Sequence, residues 1–104
     1  MQIGIVKGTV VSTNKAEKLK GLKLLLVKPV AIESFEEKGD VLVAVDTVGA
    51  GEGEAVLLVG GSSSRQTIAT ENKPVDQSII AILDHVDLDG KRIFEKFPEG
   101  ALER

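Results

Sequence analysis

The stretch over residues 43–65, VAVDTVGAGEGEAVLLVGGSSSR, limits the possible fold more than any other. An apolar run over residues 41–45 stops at Asp46, and a glycine loop, Gly49-Ala50-Gly51-Glu52-Gly53-Glu54, follows. A second apolar run, residues 55–59, leads out of the loop to Gly60-Gly61, three serines and Arg65. Short runs rich in Val and Leu, punctuated by glycine, read as two strands joined by a tight loop. Asp46, at the strand end beside the loop, is placed to accept backbone hydrogen bonds there.

The rest of the chain repeats this pattern. Residues 3–12 open with alternating Ile, Gly and Val and read as a first strand, with Gly8 at a bulge or bend. Residues 22–32, LKLLLVKPVAI, form a second strand whose exit is marked by Pro29, which has no amide to donate to a ladder. Residues 33–40 are an acidic solvated loop closing on Gly39-Asp40. Residues 78–86, SIIAILDHV, read as one strand. Asp89-Gly90 is the strongest hairpin turn, and residues 93–97 return as a last short strand. One or two short helical turns are expected, with candidate places at residues 13–20, 62–67 and 74–76. About six short strands with short connections predict an all-β chain, a small closed or nearly closed barrel.

Composition sets the core and the class. One domain fits a chain of 104 residues: a barrel over residues 1–97 and a polar tail over 98–104. The aromatic residues are Phe35, Phe94 and Phe97 alone, so the core is built from Val, Ile, Leu and Ala. With no cysteine, disulfides, thiolate metal sites and cysteine nucleophiles are excluded. A net charge of −3 without a basic block disfavours nucleic acid, whose affinity rests on Lys and Arg neutralising phosphates. No apolar run reaches the length of a membrane span and the N-terminus lacks signal-peptide features, so the expectation is a cytoplasmic protein without a membrane partner.

No motif for catalysis or a cofactor emerges. The glycine loop has G-x-G-x-G spacing and leads to a strand, unlike a dinucleotide fingerprint, and the phosphate-loop ending is absent. Its glycines supply positive φ and close backbone approach. His85 is the one histidine; beside Asp84 on a strand it would face away from it, so the two cannot act on one substrate. The segment Gly61, Ser62, Ser63, Ser64 and Arg65 carries two readings: a serine-capped turn with Arg65 in an ion pair, or an anion site of backbone amides reinforced by the guanidinium.

Taken in order, GTVVST at residues 8–13, L-x-G-x-KLLLV at 19–27, VAVDTVGAGEGEAVL at 43–57, GSSSR at 61–65 and PVDQSIIAILDHV at 74–86 resemble the EutN/CcmL family of bacterial microcompartment vertex proteins. The resemblance runs from Met1 to about Phe97. It implies an OB-like β-barrel that assembles as a cyclic ring of five, a homo-pentamer, at the vertices of a shell built mostly of hexagonal shell proteins. It implies a structural role, with no catalysis, cofactor or metal. The GSSSR segment matches the family's Gly-Ser-Ser/Gln-Ala-Arg motif, with Ser64 where Ala is frequent. By that match Gly61, Ser62, Ser63, Ser64 and Arg65 are expected at subunit contacts or the pore mouth. The alternative is a small anion- or metabolite-binding barrel using the same loop.

Overall fold

The computed structural model describes residues 1–12, 21–61 and 77–96. They form seven strands: β1 (Gln2–Val10), β2 (Lys23–Pro29), β3 (Leu42–Asp46), β4 (Ala55–Gly60), β5 (Gln77–Ile82), β6 (His85–Leu88) and β7 (Lys91–Glu95). The first five close into a barrel in the order β1-β2-β3-β5-β4, with β4 returning to β1. This is the all-β, OB-like barrel expected. The expected helical turns lie outside the described residues. No helix among the described residues is long and apolar enough to cross a membrane.

Alternation of side chains builds the core. Leu25 and Val27 of β2 face inward, as do Ala44 of β3, Val56 and Leu58 of β4, Ile79 of β5 and Val6 of β1, all of them essentially inaccessible to water. β1 closes the barrel by pairing antiparallel with β2 on one side and β4 on the other. It does so around Gly4, where a methyl group would come 2.5 Å from Val27 Cγ1. The bulge expected near Gly8 is present: the register with β2 slips between Val6 and Gly8, leaving Lys7 as the extra residue.

Two readings of strand pairing change. The strands flanking the glycine loop both exist, but they do not form a hairpin, because β5 lies between them. β5 runs parallel to β3 and antiparallel to β4. The loop instead crosses one end of the barrel to β1, where Gly53 N–H donates to Val6 O at 2.8 Å and Val6 N–H to Glu54 O at 3.0 Å. Ala50, fully buried, plugs that end.

The run over residues 78–86, read as one strand, is two. β5 loses its partner where β4 begins: Leu83 N–H bonds Ala55 O, the last rung available. Asp84 then sits at a bend, and its carbonyl accepts from Lys96 N–H at 2.7 Å. From His85 the chain pairs with β7. Asp84 and His85 are therefore not neighbours on a single strand. The β6–β7 hairpin turns at Asp89-Gly90 as expected, with Leu88 opposite Lys91 and φ of 52° and 78° at the two turn residues.

Candidate assembly surface

Local backbone chemistry fixes the glycine loop first. Asp46 Oδ1 accepts from Val48 N–H and Gly49 N–H, each at 3.0 Å, as its place at the strand end suggested. Gly49 and Gly53 take positive φ, 80° and 89°, which a side chain would resist. Glu54 Oε1 accepts from Gly51 N–H at 2.6 Å. The loop is thus held by its own polar groups, and its glycines serve the turn.

Of the five residues expected at subunit contacts, the described part contains Gly61; Ser62, Ser63, Ser64 and Arg65 lie outside it. Gly61 is exposed at the end of β4 with φ of 60°. Beside it, Gly60 lets the Gln77 side chain lie against the backbone. A methyl group there would come 2.8 Å from Gln77 Nε2. Gln77 Oε1 is buried without a hydrogen-bond partner among the described residues.

Among the described residues, apolar side chains stand open on the barrel wall and on the hairpin, besides the exposed Met1, Val11, Ile32 and Val48. The first face crosses the barrel wall. Leu26 of β2 pairs with Val43 of β3 on one side and with Gly8 of β1 on the other. Both alternate with inward residues, so they point outward, and Val43 is 52% exposed. Val41, just before β3, is also exposed. The second face belongs to the hairpin. Val86 lies opposite Phe94 and Leu88 opposite Lys91, and the three apolar residues are only half-buried.

The opposite side of the hairpin is charged. Arg92 Nε donates to Asp87 Oδ1 at 2.9 Å and Arg92 Nη1 to Glu95 Oε1 at 3.1 Å. These contacts lower the Asp87 pKa, chiefly through the Arg92 hydrogen bond, and raise that of Arg92 through Asp87 and then Glu95. His85 lies 4.0 Å from Asp87 and is exposed.

Two contacts among the described residues tie the hairpin to the barrel. Lys96 Nζ reaches Glu54 Oε2 at 2.7 Å, and that bond, followed by the Gly51 amide, holds the Glu54 carboxyl below its usual range. Phe94 stacks on Phe35 with ring centres 5.0 Å apart. Phe35 belongs to the loop read as acidic and solvated, and its backbone takes φ of 58° to present the ring. The stack was not foreseen, although a lone phenylalanine among glutamates was its one signal in the sequence. A shallow groove of about 380 Å³ runs between loop and hairpin, lined by Glu52, Glu54, Phe94, Glu95 and Lys96 among others. Among the described residues no group of three or more His, Asp or Glu is placed to hold a metal ion.

This barrel with its hairpin has close relatives. Residues 1–84 match the family model described as ethanolamine utilisation protein EutN/carboxysome. The carboxysome shell vertex protein CcmL of Nostoc sp. is 44% identical over 92% of this chain and 95% of its own length. The solved structure of Gloeobacter violaceus CcmL superposes with a TM-score of 0.87 at 42% identity, covering 92% of this chain and 98% of that one. The GrpN pentameric microcompartment shell protein from Rhodospirillum rubrum gives a TM-score of 0.76 at 44% identity, over 85% of this chain and 99% of that one. A family model spanning most of the barrel, and relatives matched over nearly their whole length, leave one assignment: this chain belongs to the EutN/CcmL family.

Proposed function

We propose that this chain is a structural protein of a bacterial microcompartment shell and forms the pentameric cap at its polyhedral vertices. The observation that carries this reading is the near full-length likeness to shell vertex proteins, one of them solved as a pentameric shell protein. The physical features agree with it. A barrel this small leaves apolar strand residues such as Val43 uncovered, and a ring of identical subunits gives them somewhere to go. The titratable groups named above serve ion pairs and turns, which suits an architectural role without catalysis. Its partners are four further copies and the hexagonal shell proteins around the vertex, and its location is the shell itself. Residues 1–97 act as the shell domain, and the tail over 98–104 packs on an adjacent subunit.

Within the ring, Gly61, Ser62, Ser63, Ser64 and Arg65 make subunit contacts near the axis or line the pore mouth. The exposed, positive-φ Gly61 directly after β4 supports this reading. Native mass spectrometry tests the whole reading. A discrete species of about 55 kDa, five times the 11.0 kDa chain, is expected. A stable species at 11.0 kDa would remove the ring and bring forward an anion-binding barrel using the same loop. For Arg65, the expected result of Arg65→Ala is a ring that dissociates at higher protein concentration than the parent; unchanged dissociation on dilution would end that assignment.

A further inference from the structure

Three parts of the molecule meet at Glu54. The glycine loop crosses one end of the barrel, β1 runs beside it, and the β6–β7 hairpin leaves the barrel at the Asp84 bend. Glu54 closes the loop just before β4 begins at Ala55. Its backbone is fixed to β1, where Glu54 O accepts from Val6 N–H at 3.0 Å. Its carboxylate is divided between the other two parts. Oε1 accepts from Gly51 N–H at 2.6 Å inside the loop, and Oε2 accepts at 2.7 Å from Lys96 Nζ, 42 residues further along the chain at the end of the hairpin. The Glu54 and Lys96 side chains are 25% and 27% exposed, so water and salt screen this bond less than they would a surface pair.

Both of those parts depend on few contacts. A two-stranded hairpin is marginal in water by itself, and among the described residues this one pairs with no barrel strand. Its base is narrow: Leu83 N–H donates to Ala55 O at 2.9 Å on the way in, and Lys96 N–H donates to Asp84 O at 2.7 Å on the way out. The Phe94 ring rests on Phe35, which belongs to the loop after β2 and to no strand. The groove of about 380 Å³ separates the hairpin from the glycine loop, so their surfaces do not interlock there. A unit with a narrow base and a gap beneath it opens as a body about that base. The loop, with glycine at 49, 51 and 53, is costly to order. Its closure rests on Asp46, on Lys23 Nζ at Ala50 O, on Gly53 N–H at Val6 O and on the Glu54–Gly51 bond. We infer that Glu54 is a positioning residue that couples the hairpin to the glycine loop. With Lys96 seated on Oε2, the carboxylate is held where Gly51 N–H meets it. When the hairpin swings away, the carboxylate regains its rotamers and the loop loosens with it. The coupling is reciprocal, so an opened loop also frees the hairpin. It lies within one chain and does not rest on the ring: a chain that forms no pentamer ends the ring reading and leaves this coupling standing.

Hydrogen exchange of the full chain, followed amide by amide, tests it, with parent and variants at a concentration where native mass gives one oligomeric state for all. The Gly51 and Gly53 amides are the readout, because their acceptors are Glu54 Oε1 and Val6 O and not a group of Lys96. Lys96→Met keeps the apolar stem and removes the ammonium. It is expected to speed exchange of β6, β7 and the Gly51 amide by about two- to fivefold, the range that an ion pair of this exposure allows, and to leave β2 unchanged. Glu54→Gln keeps an oxygen for Gly51 and loses the charge that holds Lys96, so it should give the same profile, and the double variant should add nothing to either. Phe35→Leu removes the aromatic stack and leaves Glu54 in place. It should quicken the Gly51 amide in the parent and fail to do so once Lys96→Met is present. If Lys96→Met frees the hairpin while Gly51 and Gly53 exchange as before, loop and hairpin are held independently and the coupling is overturned. A Gly51 response to Phe35→Leu that persists beside Lys96→Met overturns it too, by showing a route that bypasses Glu54. Faster exchange of every amide alike, β2 included, overturns it as well, because the barrel then opens as a whole.

Discussion

Gly4 is where the barrel closes most tightly, and replacing it with alanine tests the packing directly. β1 there is flanked on both sides, with Gly4 opposite Pro29 of β2 and Val56 of β4 in register. A β-carbon on Gly4 would lie 2.5 Å from Val27 Cγ1, 3.1 Å from Lys28 O and 3.4 Å from Leu58 Cδ1. Carbon atoms pack best at about 3.5–4.0 Å, so Val27 must retreat by roughly 1 Å. It has nowhere to go: Val27 and Leu58 are both at 0% exposure, and a β-branched side chain in a strand has few rotamers. Overpacking of this kind costs about 1–3 kcal/mol. For a domain of this size each kcal/mol lowers the melting temperature by about 4–8 °C, so Gly4→Ala is expected to melt at least about 4 °C below the parent. The assay is a thermal melt at one fixed protomer concentration, because subunit association itself raises the midpoint. Gly51→Ala is the control, since its β-carbon would meet only Glu54 Oε1 at 3.5 Å, an ordinary contact. If the two variants melt together, the tight closure around β1 is wrong.

Two further outcomes follow from the hairpin. The Glu54 carboxyl is held below its ordinary value of 4.5, chiefly by Lys96, so its stabilisation is complete above that value and is lost as pH falls through the lower folded value. Glu54→Gln should lose up to about 1 kcal/mol at neutral pH and converge with the parent in acid, read by urea unfolding across pH; a gap that persists unchanged in acid contradicts the sign. Gly90 has φ of 78° in the hairpin turn, so Gly90→Val should cost about 1–2 kcal/mol there. Amide exchange of β6 and β7 should speed up while that of β2 and β4 does not; uniform change would mean that the hairpin and barrel open as one unit.

Much of this molecule could be read from residue order. Short Val- and Leu-rich runs between glycines cannot nucleate helices, and each of the barrel strands was placed within a few residues. Asp46 at a strand end, Gly8 at a bulge and Asp89-Gly90 at a two-residue turn were legible because each depends on neighbours a few residues away. The family was legible through the order of the segments at residues 8–13, 19–27, 43–57, 61–65 and 74–86, and the family model matches residues 1–84.

Partners distant in sequence were decided by tertiary structure. Residues 41–46 and 55–60 look like a hairpin along the chain, yet the barrel inserts β5 between them, because β4 must leave one edge for β1 and give the other to β5. The run over 78–86 is apolar from Ile79 to Leu83 and does not say where β4 stops; the break after Leu83 is set by the length of a strand elsewhere in the chain. Phe35 found Phe94 only in three dimensions, at the expense of a left-handed backbone that its acidic surroundings do not suggest. Local chemistry is written in adjacent residues and can be read from them. Which strand edges meet is a property of closing the whole barrel, and no single stretch of the chain contains it.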